Sequence, residues 1–289
     1  MKIQKSFDDK STGTLYVVPT PIGNLEDITY RSLNILKSVS VIAAEDTRNT
    51  KKLLTHFDIH VPLISYHEHS KKARESQLLE RMENGESIAI VSDAGMPAIS
   101  DPGFDLVYSA LEEDLNVVVL PGANAALCAL VGSGLPTNEF YFYGFLPRKK
   151  KEKEAELNRL HAVNATLLFY ESPYRVKETL RTMYHVLGNR KAVAARELTK
   201  RFEEFARGTL EELMQWADDR ELKGEFCLIV NGNDKAVEEE KANWWSNLSV
   251  NDHVKYYIKQ GLTSKEAIKQ VANDRKSPKR EIYQEYHVK

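Results

Sequence analysis

The chain has 289 residues, enough for about two domains at roughly 150 residues each. Hydrophobic residues make up 42% and charged residues 28%, a balance that excludes collagen-like, mucin-like and wholly disordered chains. The 40 Lys and Arg stand against 42 Asp and Glu, a formal net charge of −2, so a globally basic nucleic-acid coat is excluded and any such contact must come from local patches.

Thr14–Val18, Val39–Ala43, Ser87–Val91 and Asn116–Leu120 are short, near-continuously apolar runs, as expected of parallel strands covered on both faces. Between them the spacing predicts helices over Thr29–Lys37, Thr47–His56, Lys71–Glu83 and Phe104–Glu113. This alternation predicts an α/β layer with a mostly parallel sheet. A second unit follows Gly134-Leu-Pro136. Its predicted strands are Phe140–Phe145, Thr166–Tyr170, Lys191–Ala195, Arg201–Ala206 and Phe226–Val230. Its predicted helices are Lys150–His161, one opened by Pro173 and running to Leu187, and Thr209–Ala217. The expected domains are 1–134, 135–232 and a tail of 233–289, with the first boundary near Ser133–Asn138.

Residues 233–243 are polar and charged without an apolar period and read as a linker. Residues 251–289 hold nine Lys/Arg and five Asp/Glu, a local net charge of +4. Two cysteines, Cys128 and Cys227, cannot build a disulfide framework or a cysteine zinc site; both lie in apolar stretches and are expected to fill core space. The segment Met1–Gly13 has no apolar targeting core, and the longest apolar stretch, Ala125–Val131, is far below the roughly 20 residues that span a bilayer. A cytoplasmic location without membrane attachment is expected.

The chain lacks G-x-G-x-x-G after its first strand, G-x-x-x-x-G-K-[ST], H-E-x-x-H and G-x-S-x-G. It has instead three Gly/Pro-rich turns directly after apolar strands: Val18–Asn24, Val91–Gly103 and Leu120–Ala125. In an open α/β sheet, ligands bind outside the carboxyl ends of the strands. Glycine there admits a ligand to the backbone, and proline fixes the loop. Three such loops are expected to close around one small polar ligand; the alternative is three tight turns.

Val18-Pro-Thr-Pro-Ile-Gly-Asn-Leu25, Ala44-Glu-Asp-Thr-Arg48, Ser92-Asp-Ala-Gly-Met-Pro97, Ile99-Ser-Asp-Pro-Gly103 and Leu120-Pro-Gly-Ala-Asn-Ala125 carry a specific resemblance in the first half. Gly144-Phe-Leu-Pro-Arg148, Phe169-Tyr-Glu-Ser-Pro-Tyr-Arg175, Arg196-Glu-Leu-Thr-Lys200 and Gly224-Glu225 extend it. Together they resemble the 16S ribosomal RNA cytidine 2′-O-ribose methyltransferase subfamily of the tetrapyrrole (corrin/porphyrin) methylase superfamily. The likeness runs from about Gly13 to Gly232, with a further match in the tail. Met96 stands where Thr is commoner in that subfamily and Tyr174 where His is commoner, positions that the resemblance implies are at a pocket wall.

The resemblance implies an α/β fold of two domains, a parallel-sheet N-terminal one and a mixed-sheet second one, plus a small helical tail. It implies a homodimer that binds S-adenosylmethionine (SAM) between the two α/β domains and methylates a ribose 2′-OH in the decoding centre of the small ribosomal subunit. Ser92, Asp93, Ala94, Gly95, Met96 and Pro97 match the cofactor loop. Pro121, Gly122 and Ala123 would adjoin it, and Tyr170, Gly224 and Cys227 would cover it from the second domain. SAM already carries an activated methyl, so alignment with the acceptor is the protein's main task. Glu45, Asp46 and Glu171 are the candidate proton acceptors, with Arg48 and Arg175 to clamp phosphate or orient a carboxylate. The competing reading makes Asp46 a helix N-cap with Arg48 exposed, and Ser172 an N-cap with Pro173 at the first helical position. No metal is required; His67-Glu-His69 is a weak ligand pattern.

Two basic segments are candidates for gripping RNA. Arg148, Lys149, Lys150 and Lys151, with Lys153 and Arg159, oppose the dipole at a helix start, a placement that a polyanion would explain. In the tail, Thr263 and Glu266 fit a capping box, a second helix starts near Pro278, and the pair resembles a helix-turn-helix presenting Lys276, Lys279 and Arg280. Two rival functions remain at this point. One is a tetrapyrrole ring C-methylase, whose cofactor loop usually reads Gly-Asp-Pro. The other is a non-catalytic nucleic-acid binder, which leaves the three strand-end loops unexplained.

Overall fold

The computed structural model describes residues 3–6, 12–67, 71–233, 245 and 248–287. The first half forms a parallel sheet of β1 (Thr14–Val17), β2 (Val41–Ala44), β3 (Leu63–Ser65), β4 (Ile88–Val91) and β5 (Asn116–Val119) in the order β3-β2-β4-β1-β5. Helices α1 (Tyr30–Ser38), α2 (Thr47–His56), α3 (Lys71–Glu83), α4 (Phe104–Glu112) and α5 (Ala125–Ser133) follow the strands. Alternate residues along each strand serve opposite faces. Leu15, Val17, Val41, Ala43, Ile88 and Ile90 pack with Leu78, Met82 and Leu106 of α3 and α4. Their neighbours Val18, Ile42, Ala44, Ala89 and Val91 pack with Leu36 and Leu54 of α1 and α2. Burial on both faces explains why β2 and β4 are apolar at every position.

Two elements here have no counterpart among the sequence expectations. Strand β3 is a three-residue edge, too short for a periodicity to show. Helix α5 is the apolar run after the third loop, capped by Asn124, whose side chain accepts from the Leu127 N–H at 3.0 Å. On this helix Cys128 is exposed, so it does not fill core space as expected; Cys227 does.

The second sheet runs β6-β7-β10-β8-β9, from β6 (Phe140–Phe145), β7 (Thr166–Glu171), β8 (Lys191–Arg196), β9 (Glu204–Thr209) and β10 (Phe226–Val230). Only β6 and β7 pair in parallel; the rest are antiparallel, so the sheet is mixed. Its helices are α6 (Lys150–Leu160), α7 (Val176–Leu187) and α8 (Leu210–Asp218).

Most boundaries shift by a residue or two, and two of the shifts have a local cause. Strand β9 starts at Glu204 because Arg201–Glu203 belong to a tight turn, in which the Thr199 N–H donates to Glu203 Oε2 at 2.7 Å. Pro173 does not open the regular helix. The Ser172 carbonyl accepts from the N–H groups of both Arg175 and Val176, so Pro173–Arg175 form a turn and α7 begins at Val176. Ser172 is thus not its N-cap.

The chain packs as two compact units, Met1–Arg159 with Ala165–Asn231, and Leu160–Asn164 with Gly232–Lys289. Both sheets belong to the first. The second contains α9 (Val250–Lys259), α10 (Ser264–Asp274) and α11 (Lys279–His287), of which α9 was not anticipated. Val250, Val254, Ala267, Ile268, Val271, Ala272 and Ile282 form a core of their own. Thr263 and Glu266 make the expected capping box on α10. The predicted linker lies outside the described residues except for Asn233. Among the described residues, no helix is long and apolar enough to cross a membrane.

Candidate functional site

The carboxyl ends of the first sheet and the adjoining ends of β7 and β10 enclose a cavity of about 400 Å³. From the first sheet it is lined by Ile22, Glu45, Asp93–Met96, Ile99–Asp101, Asn124 and Ala125. Phe145, Tyr170–Pro173, Ala195, Leu198 and Glu225–Cys227 line it from the second. The volume suits a nucleoside-sized ligand.

Loop geometry here follows from residue type. Ser92 is buried; its hydroxyl donates to the Gly95 carbonyl at 3.1 Å, and its own carbonyl accepts from the Thr20 hydroxyl at 3.1 Å. Gly95 has φ +85° and exchanges both backbone hydrogen bonds with Thr20, each 3.0 Å, tying the first and second loops together. Gly122 is needed for closeness: a Cβ there would lie 2.6 Å from the Cβ of Pro19. Asp93 is exposed and bridges loops: Oδ1 accepts from the Asp46 N–H at 3.1 Å and Oδ2 from Asn49 Nδ2 at 3.0 Å.

Of the expected cofactor residues, Asp93, Ala94, Gly95, Met96, Tyr170 and Cys227 line this cavity. Ser92, Pro97, Pro121, Gly122, Ala123 and Gly224 do not line it, and Pro121 and Gly122 are exposed. Ser92 lines a neighbouring cavity of about 440 Å³ that shares Ile22, Asp93, Ala94 and Glu225 with the first. The wall expected from Pro121–Ala123 is formed one step later by Asn124 and Ala125. Gly224 has φ +85° and leaves room for the Glu197 side chain, which a Cβ there would meet at 2.4 Å; the next residue, Glu225, donates its N–H to Glu197 Oε1 at 3.0 Å and lines the wall. Tyr170 accepts a hydrogen bond from the Ala126 N–H at 3.2 Å, and burial foremost pushes its phenol up to about 12. Burial likewise raises the Cys227 thiol to about 12, so it serves as an apolar wall and not a nucleophile.

The candidate proton acceptors separate. Asp46 caps α2, accepting from the Arg48 N–H at 2.8 Å, and pairs with the Arg48 guanidinium at 2.7 Å. Those hydrogen bonds hold its carboxyl at about 2, and Arg48 points outward. This pair is a helix start, and neither residue lines the cavity. Glu171 does, but its oxygens are engaged: Oε1 accepts from the Ser172 N–H at 2.9 Å and faces Arg175 Nε at 3.4 Å, while Oε2 accepts from the Thr179 hydroxyl at 2.7 Å. Arg175 in turn donates to the carbonyls of Leu146 and Pro147 at 2.7 and 3.1 Å, so it clamps the backbone next to Phe145. Glu45 lies on the cavity wall.

The basic segments also separate. Lys153 is fully buried, donating to Glu178 Oε1 at 3.1 Å and Thr179 Oγ1 at 3.2 Å, and is therefore not a surface cation. Lys149 pairs with Glu152 at 3.0 Å, Lys150 with Glu154 at 3.9 Å and Arg159 with Glu156 at 2.9 Å. Arg148 is exposed, and so are Lys276, Lys279 and Arg280 around the start of α11. Of the His67-Glu-His69 pattern only His67 is described, and no group of three or more metal-binding side chains occurs among the described residues.

Sequence reasoning missed the apolar lining residues Ile22, Ile99, Phe145 and Leu198, because the direction of a loop or strand-end side chain is set by packing distant in sequence; Phe226 falls within the expected Gly224–Cys227 segment. It also passed over Asp101, although that residue lies inside the Ile99–Gly103 motif. What turns Asp101 toward the cavity is backbone with positive φ at Ala98 (67°), Ser100 (61°) and Gly103 (137°), which residue type announces only at the glycine. The lining fits SAM: apolar walls for an adenosine, and the carboxylates of Glu45 and Asp93 for a cationic sulfonium and ammonium.

Residues 14–214 match the family described as Tetrapyrrole (Corrin/Porphyrin) Methylases. The ribosomal RNA small subunit methyltransferase I of Halalkalibacterium halodurans is 57% identical over 290 residues, covering 99% of each chain. That of Bacillus subtilis is 52% identical, covering 100% of this chain and 99% of the relative. Among solved structures, a cobalt precorrin-4 methyltransferase superposes with a TM-score of 0.57 at 16% identity, over 75% of this chain and 94% of its own. A diphthine synthase gives 0.60 at 14%, over 78% and 94%. These two likenesses establish the fold. The chain belongs to the tetrapyrrole methylase family, whose methyl donor is S-adenosylmethionine, and within it to the subfamily of the ribosomal RNA small subunit methyltransferase I proteins.

Proposed function

We propose that this methyltransferase modifies the ribose 2′-OH of a cytidine in the decoding centre of small-subunit ribosomal RNA. The observation that carries the reading is the full-length likeness, at 57% and 52% identity, to relatives named for the small-subunit RNA. The strand-end cavity supports it by offering a built place for the methyl donor. Asp93–Met96, Tyr170 and Cys227 are the proposed lining of the cofactor, with Ser92, Pro97, Pro121–Ala123 and Gly224 proposed to adjoin it. The reading includes the division at about residues 134 and 232, a cytoplasmic location and a homodimer. Favouring the last is an exposed apolar stripe on α4, where Phe104, Tyr108 and Leu111 follow at helical spacing and the first two rings stack at 6.1 Å.

The test is incubation with labelled SAM and, in parallel, naked ribosomal RNA, assembled small subunits or a tetrapyrrole precursor. Label should enter RNA or the subunit. Label in the tetrapyrrole, or none consumed, would favour one of the two rival functions.

RNA contact is proposed to rest on Lys276, Lys279 and Arg280, with Arg148, Lys149 and Lys150 secondary because two of these three face carboxylates of α6. Replacing the three tail cations by Ala should make log affinity fall less steeply with log salt, the slope shrinking by about 2–3, since each phosphate contact contributes about 0.7–0.9. SAM affinity should not change. An unchanged slope would move the RNA-gripping role to Arg148–Lys150.

A further inference from the structure

Methylating a hydroxyl releases a proton, and the cavity must provide for it. The carboxylates nearby are not equivalent. Asp46 is held ionised by Arg48 outside the cavity, Glu171 is engaged by three donors, and Asp93 is committed to the Asp46 N–H and Asn49. Asp101 is different. It is half-buried on the cavity wall, and none of the hydrogen bonds among the described residues ends on its carboxylate. The Ile99–Gly103 loop holds it there by positive φ at Ser100 and Gly103 and by a hydrogen bond from the Ala98 N–H to the Pro102 carbonyl at 3.3 Å. The charged and titratable groups that face it are Glu45 from the end of β2, Asp93 from its own loop and Tyr170 from β7.

We propose that Asp101 is the proton acceptor for the hydroxyl that this enzyme methylates. The inference rests on the proposed transfer to a ribose hydroxyl. The hydroxyl oxygen gains the methyl carbon, the electrons of the old carbon–sulfur bond remain on sulfur as a neutral thioether, and the proton passes to the Asp101 carboxylate. Burial, followed by the repulsion of Glu45 and Asp93, pushes Asp101 up to about 7. A base titrating near the working pH combines availability with driving force, whereas an ordinary carboxylate near 4 holds a proton poorly. The strain of the loop has a purpose in this reading, since it fixes an ionisable group where its charge is disfavoured.

The test uses the full chain with Asp101→Asn and Asp101→Glu, measuring single-turnover methyl transfer to RNA from pH 5 to 9 and thermal unfolding over pH 4 to 9. Wild-type transfer should rise with pH to an inflection near 7. Asp101→Asn should be slower by about 10²–10⁴-fold with no inflection, and Asp101→Glu should recover part of the rate with the inflection. Melting gives a readout independent of activity. A raised carboxyl stabilises the fold while protonated and loses that contribution as pH rises from about 4 through about 7. Asp101→Asn, which never ionises, should therefore melt above the wild type beyond pH 7, and the gap should close towards pH 4. Label recovered on a base instead of a ribose would overturn the reading of the substrate and this assignment with it. Label on the ribose, with Asp101→Asn transferring at the wild-type rate and inflection, would overturn the assignment of Asp101 alone.

Discussion

Glu171→Ala should lower the free energy of unfolding by about 3–5 kcal/mol, the usual cost of removing one partner from a buried ionic network. The Glu171 side chain is 1% exposed and is the centre of a chain of contacts. Glu178 meets Lys153, Lys153 meets Thr179, Thr179 meets Glu171, and Glu171 meets Arg175, which holds the Leu146 and Pro147 carbonyls. Removing the carboxylate strands the Arg175 charge, the Thr179 hydroxyl and the Ser172 N–H in a site with little access to water. The loop after β6, which places Phe145 on the cavity wall, loses its anchor at the same time. Urea unfolding should show a lower midpoint with an unchanged slope. Glu171→Gln keeps the shape and one acceptor, and its cost should be nearer 1–3 kcal/mol. A loss below about 1 kcal/mol for the alanine variant would mean that Glu171 is not a structural centre.

Gly95→Val should damage fold and ligand site together. An L-residue at φ +85° costs about 1–2 kcal/mol, and a β-branched one more. A Cβ at this position lies 3.2 Å from Ile22 Cγ2, tighter than an ordinary contact, and 3.6 Å from the Ala123 carbonyl oxygen, so it crowds the first loop and leaves the two further methyls of valine little room beside the third. The paired hydrogen bonds with Thr20 leave the backbone little freedom to relax. The expected result is a clear drop in melting temperature and at least a tenfold loss of SAM affinity by calorimetric titration, equal to about 1.4 kcal/mol. Gly95→Ala should show the strain with less of the crowding. Wild-type melting and affinity in the valine variant would remove Gly95 from the site.

The strands of the first sheet were legible because burial on both faces makes them apolar without interruption, and α2 and α3 fell on their expected residues. Strand β3, helix α5 and helix α9 were not. The first is too short for a period; the second is apolar on its exposed side (Leu127, Cys128, Val131) as well as on the side packed against the second sheet (Ala126, Ala129, Leu130), which erases its period; and the third turns a polar residue, His253, inward beside Val250 and Val254. Within the site, the loops that carry glycine and proline announced themselves. The side chains that face the cavity did not, because their direction depends on contacts distant in sequence. Asp46 and Glu171 look alike as carboxylates just past strand ends, yet one caps a helix and the other is locked in a buried network. Lys153 reads as one cation of a basic run, but its place on the inner face of α6 buries it against Glu178 and Thr179. Asp101 was hidden by the opposite effect: in a run rich in turn formers it resembles a loop residue, and only the backbone turns it inward.

The most direct measurement is the position of the transferred methyl. Small-subunit RNA or assembled subunits would be labelled by the enzyme with radioactive SAM and the recovered RNA hydrolysed in alkali. Cleavage by alkali needs a free 2′-OH, so a ribose 2′-O-methyl protects the adjoining phosphodiester. The label is expected in an alkali-resistant dinucleotide whose 5′ nucleoside is cytidine. Label released as ordinary mononucleotides would place the methyl on a base and contradict it.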